Sequence, residues 1–164
     1  MPIRLSPIAL PFALAAGLLF SGLSLASDGA AIHQHDHGDA PFELHLNNGE
    51  QWAIDAPLSK AMGEIGQAMR ESLQVIHEDR LAAEDYVPLA KRVNDGVAYM
   101  VANCQLPPAA DAQLHMIIAQ LMAGAEKMAG SSADSPRDGA VQVIGALDAY
   151  DKYFDDPSFV PVAH

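Results

Sequence analysis

The chain has a single cysteine, Cys104, among its 164 residues. No disulfide can close within it, so packing alone must hold the fold together. An oxidising compartment usually calls for an even cysteine count, which leaves this thiol as a buried group, a metal ligand or half of a bridge between chains. Covalent haem is excluded with it, since attachment needs Cys-x-x-Cys-His. Basic charge is also scarce: 9 Lys and Arg face 21 Asp and Glu, a net charge of −12. Such a chain is repelled by phosphate backbones and anionic lipid heads, so nucleic acid and membrane surfaces are poor partners. Cations and basic proteins suit it better, although acidity also serves plain solubility. Enzyme signatures are missing: there is no Gly-x-Ser-x-Gly, no His-Glu-x-x-His and no Gly-rich phosphate loop. Glu64 and Glu71 have no His three residues on, which removes the Glu-x-x-His pairs of di-iron bundles. Catalysis is therefore not expected.

A clean transmembrane run is lacking too. An anchor needs roughly 20 apolar residues. The apolar stretch from Ile8 to Leu25 is interrupted by Pro11, Gly17, Gly22 and several serines. Arg4 is the only charge before Asp28, and Ser24-Leu25-Ala26 puts small residues at its exit. A basic start, an apolar core and a small-residue exit describe a signal peptide over residues 1–26. With no cysteine at the exit, a lipoprotein is not expected. The product is a periplasmic or secreted protein with no stable membrane anchor after cleavage.

Residues 27–41 are mostly Gly, Ala, His and Asp, with little to bury, and read as a disordered arm. The arm carries His33, His35 and His37 at i, i+2 and i+4, with Asp36 and Asp39 beside them. Imidazole is the commonest neutral metal ligand and suits copper, zinc and nickel. Three of them on a flexible arm can wrap one ion, at modest affinity, because binding must order the arm. The plainer reading is a solvated linker with incidental chelating power.

Residues 42–160 form the folded domain. Phe42-Glu43-Leu44-His45-Leu46 alternates apolar and polar as a strand does. Asn47-Asn48-Gly49 is a turn signal, and Gln51 to Ile54 can return as the second strand of a short β-hairpin. Such a hairpin is marginal alone, so Trp52 should anchor it on helices. The first helix starts after Asp55, an N-cap, with Pro57 in its first turn. Its stripe is Leu58, Met62, Ile65, Met69, Leu73 and Ile76. The second starts around Ala83 to Asp85, with the stripe Tyr86, Leu89, Val93, Val97, Met100, Val101 and Cys104. Pro107-Pro108 breaks it. The third opens near Asp111 and buries Leu114, Ile117, Ile118, Leu121, Met122, Ala125 and Met128. The fourth runs from about Arg137 to Phe154, with Ala140, Val143, Ile144, Leu147 and Tyr150 inward. Spacings of three and four mark one buried face on each. The expected fold is all-α: an up-down-up-down four-helix bundle preceded by the His-rich arm and the hairpin.

A second set of ligand-type residues is Met100, Cys104 and His115. Met100 and Cys104 are one turn apart on one helix face. His115 lies about one turn into the next helix, across a short loop. Thioether, thiolate and imidazole at one level would suit copper(I) or zinc. The alternative is ordinary: Met and Cys are common core residues, and Met fills gaps. Non-covalent haem would need axial ligands such as Met62 or Met69 with His115; it ranks behind copper and zinc, because the fourth helix has no His.

Three blocks carry a resemblance: Leu46 to Leu58, Asn103 to His115, and Ala146 to Pro157. Across about residues 33–159 the chain resembles a family of small exported proteobacterial proteins, sometimes labelled DnrO-like. The resemblance implies a helical periplasmic protein with a His-rich start, and no particular activity. It also implies that Cys104 and His115 recur as a pair, as a site or as a loop clamp. The sequence thus points first to a periplasmic metal-binding bundle, copper ahead of zinc or nickel. Behind it stand a non-catalytic protein-interaction module and a b-type haem bundle.

Overall fold

A computed structural model describes residues 43–163. The signal segment and His-rich arm, and Phe42 of the expected first strand, lie outside the described residues. The elements in order are β1 (Trp52–Ala53), α1 (Ala56–His77), a 3₁₀ turn (Ala83–Asp85), α2 (Tyr86–Asn103), α3 (Pro108–Met128), α4 (Pro136–Tyr153) and β2 (Phe154–Asp155). The described chain is thus mostly helical, and the packing of its four helices is consistent with a bundle.

Each helix begins where local chemistry permits. Asp55 is extended and its side chain accepts from the Leu58 N–H at 2.9 Å, with Pro57 in the first turn of α1. Ser135 does the same for α4, accepting from Asp138 N–H ahead of Pro136. The 3₁₀ turn leads into α2, so Pro88 falls within the first turn, where its missing N–H breaks no bond. Pro107 stays extended, and α3 starts at once on Pro108, three residues before Asp111.

The inward stripes meet in one apolar core. Leu58, Met62 and Met69 of α1, Leu121 and Met128 of α3, and Leu147 and Tyr150 of α4 are fully buried. Burying one such aliphatic side chain stabilises the fold by about 2 kcal/mol. No polar or charged residue is buried among the described residues. The closest helix approach is between α3 and α4: a Cβ on Gly139 would lie 2.5 Å from the Gly124 carbonyl oxygen. Only paired glycines let the two backbones touch there.

Four expectations need correction. Val101 and Met122 were placed inward, yet they are 71 % and 52 % exposed. Each follows a core residue, Met100 or Leu121, and neighbours on a helix point about 100° apart; here that turn carries the side chain past the edge of the buried face. The fourth helix ends at Tyr153, and Phe154 is extended rather than helical. The hairpin is also different. Its turn forms, with Asn48 and Gly49 at positive φ and reciprocal hydrogen bonds between Asn47 and Glu50. But β1 pairs in parallel with β2, Trp52 opposite Phe154 and Ala53 opposite Asp155. The segment before the turn gives its His45 N–H to the Gln113 side chain of α3 instead of to a returning strand. A two-stranded ribbon is marginal alone, and here β1 pairs with the chain just after α4 while the His45 segment bonds to α3.

Candidate functional site

The three ligand-type residues of the α2–α3 connection are split between core, cap and surface. Met100 is 1 % exposed inside the core. Cys104 is the half-buried C-cap of α2, its N–H bonded to the Met100 carbonyl. His115 is exposed on α3, and its Nδ1 lies 2.9 Å from the Asp111 carbonyl and 3.4 Å from the Asp111 carboxylate. Among the described residues no group of three or more His, Cys, Asp or Glu is placed to hold a metal ion. The axial pair considered for haem is likewise not brought together: Met62 and Met69 are core residues with no exposure, while the His115 ring is at the surface. His33, His35 and His37 lie outside the described residues.

What surrounds Cys104 is acidic. Burial pushes the thiol up to about 11, helped by the charge of Asp55, a hydrogen bond to Asp55 and the charge of Asp111. The thiolate is the nucleophile and metal ligand, so at neutral pH this sulfur is nearly all in its inert form. Asp55 is the hinge of this corner: one oxygen caps α1, and the other accepts from the Gln105 N–H at 2.7 Å, just past the end of α2. One carboxylate thus ties the start of one helix to the exit of the next.

A second carboxylate, Asp156, ties in the C-terminal tail. It accepts from Tyr150 Oη at 2.8 Å, from Ser59 Oγ at 3.2 Å, and from both the N–H and hydroxyl of Ser158. Burial alone would raise its pKa, but hydrogen bonds from Ser158, Tyr150 and Ser59 outweigh that and hold it below the ordinary 3.8. Tyr150 is driven the other way, above its ordinary range, by burial and then by that bond to Asp156. Its ring stacks on Phe154 and meets Phe159 edge-on. Phe159 and Val162 are buried, and Arg70 donates to the Val160 carbonyl. From the sequence, the fourth helix ends near Phe154 and no element is expected after it. The Asp-Pro-Ser sequence was a legible signal for an Asx turn, in which the side chain bonds the N–H two residues on; the tail's docking on α1 and α4 was not.

The other feature with an open face lies between α1 and α4. Leu73, Ile76 and His77 on one side and Arg137, Val141, Ile144, Gly145 and Asp148 on the other line a groove of about 310 Å³. Val141 is 52 % exposed there. Arg137 closes one end, donating to the Ile76 carbonyl at 3.0 Å and lying 3.8 Å from Asp79. A larger, polar cleft on α1 and α2 holds Lys60, Glu64, Arg92 and Asp95, whose charges are paired locally: Lys60 with Glu64, Asp95 with Lys91, Arg92 with Glu71.

No described helix is long and apolar enough to cross a membrane. Comparison with family models, with curated proteins and with solved structures finds no match. The class the described residues define is therefore a fold class: a four-helix protein with a short parallel two-stranded sheet.

Proposed function

We propose that the chain is a non-catalytic, exported metal-binding protein whose capture site is His33, His35 and His37. Copper is the first candidate ion, with zinc and nickel behind it. The observation that carries the reading is three imidazoles spaced i, i+2, i+4 on a chain of net charge −12. Imidazole supplies the ligands and the acidic field raises the local cation concentration. The helical domain, in this reading, is an up-down-up-down bundle that carries the arm. The location in the periplasm and the kinship with the DnrO-like proteins belong to the same proposal.

Cys104 lies in the corner that Asp55 holds, and His115 bonds back to Asp111 within α3. A thiol held near 11 and an imidazole already bonded to Asp111 are poor starting points for a metal ligand pair. The test is elemental analysis and visible spectroscopy of the untagged, metal-loaded and desalted chain. It is compared with a variant lacking residues 27–41 and with Cys104→Ala/His115→Ala. Stoichiometric copper or zinc, lost with the arm and kept in the double variant, is the expected result. A colourless, metal-free chain overturns the reading and leaves an interaction module in its place.

A further inference from the structure

We infer that an apolar groove between α3 and α4 is the seat of the chain's own Phe42, which immediately precedes the described residues. The groove holds about 290 Å³ and is lined by Met116 and Ile117 of α3, by Ala146 and Ala149 of α4, and by Leu44. Gln120 and Gln142 also border it, and their side chains bond each other at 2.8 Å across the two helices. Gly145 lowers the α4 wall, because nothing lies within 4 Å of where its Cβ would be.

The path of the chain leads into this groove. His45 is fixed to α3 by its N–H, which bonds the Gln113 side chain at 2.8 Å. One residue earlier, Leu44 is already in the groove, whose α3 wall runs on from Met116 to Gln120. An extended chain advances about 3.3 Å per residue and a helix about 1.5 Å. Phe42, three residues from His45, thus comes level with roughly the seventh helical residue past Gln113, which is Gln120. The side chains alternate as well. Glu43 and His45 are exposed and Leu44 is half-buried, the pattern of a strand lying on a surface. Phe42 shares the side of Leu44, so its ring falls between Leu44 and the Gln120–Gln142 pair.

Connectivity selects the occupant. A segment delivered to the groove by the bond at His45 gives up little of the translational and rotational freedom that a separate molecule must lose. The chemistry agrees. Between Ser27 and Phe42 the chain has a single Phe, Tyr or Trp, and it is Phe42. None of the residues lining the groove is charged, so an ion or a charged partner has nothing to pair with there. Methyl groups and the Met116 thioether suit an aromatic ring. The inference is independent of whether the histidines bind metal.

Nuclear magnetic resonance of the full chain tests it directly. Cross-relaxation between the Phe42 ring and the methyl groups of Met116, Ile117, Ala146 and Ala149 is expected. Urea unfolding supplies the second readout. Phe42→Asp should lower the folding equilibrium constant by about 10-fold or more, as loss of a buried ring requires. Glu43→Ala, at the exposed neighbouring position, should change it by less than about 2-fold. A ring with no contact to any of those methyl groups overturns the proposal and leaves the groove to an outside ligand. A loss in Phe42→Asp no larger than that in Glu43→Ala overturns it too.

Discussion

The two sets of helix ends are closed by different chemistry. Where α1 and α3 stop, the backbone closes itself. Arg80 N–H bonds the Val75 carbonyl and Asp79 N–H bonds that of Ile76; Ser131 and Gly130 repeat the pattern on Glu126 and Lys127. The pivot residues, Asp79 and Gly130, are both at positive φ. This is the same left-handed cap made once with the favoured glycine and once with an aspartate. Where α2 and α4 stop, no such turn is used. Cys104 and Phe154 go extended, and the side chains of Asp55 and Asp156 gather the neighbouring segments. The first kind of closure is local and tolerant. The second depends on a few side chains bonded across long stretches of sequence, so single changes there should cost more.

The largest effect is expected at Tyr150. It is fully buried between Phe154 and Phe159, so Tyr150→Ala should cost about 4 kcal/mol in urea unfolding. A cost below that of Arg137→Ala at the opposite closure would erase the contrast. Asp156→Asn comes next, at about 2 kcal/mol, since it weakens several bonds to one charged acceptor. This group also sets a pH dependence. Its folded pKa is depressed, so its contribution is complete above the ordinary 3.8 and is lost as pH falls through the lower folded value. As pH falls from 3.8 through that lower value, the loss of stability should be shallower in Asp156→Asn than in the parent chain, read by urea unfolding followed by circular dichroism.

Arg137→Ala should cost roughly 1 kcal/mol, the worth of its bond to the exposed end of α1. Asp79→Gly should do the reverse and stabilise by up to about 1 kcal/mol, because glycine adopts φ 52° without strain. A destabilised glycine variant would show that the Asp79–Arg137 pair at 3.8 Å matters more than the backbone. At the small end, breaking the exposed Lys91–Asp95 pair should change the melting point barely at all.

Much of this was legible in the sequence, and what was not has a common cause. Asp55, Ser135 with Pro136, and Pro107-Pro108 announce helix limits within a few residues of their own position. The stripes of α1 and α4 repeat often enough for the period to override single residues. Phe154 looked helical because it continues the apolar run of α4; only its pairing with Trp52, about a hundred residues away, makes it a strand. Phe159 and Val162 belong to a stretch too short to show a period, so their burial was invisible. The Cys104–His115 spacing fixed closeness along the chain but not direction: the cap leaves Cys104 half-buried near Asp55, and His115 is on the exposed side of α3. The groove carried a local signal, since Val141 falls off the inward stripe of α4, yet its second wall comes from α1.

The protonated state of Cys104 can be read from its reactivity. At pH 8 roughly one thiol in a thousand would be ionised, so alkylation should be far slower than for a free cysteine and should quicken in Asp55→Asn. The most direct test of the central claim is a calorimetric titration of the full chain with copper, and then zinc. It is repeated on His33→Ala/His35→Ala/His37→Ala and on Cys104→Ala/His115→Ala. The account predicts one binding event that vanishes in the triple variant and survives in the double. Binding that survives the triple variant and vanishes in the double would contradict it.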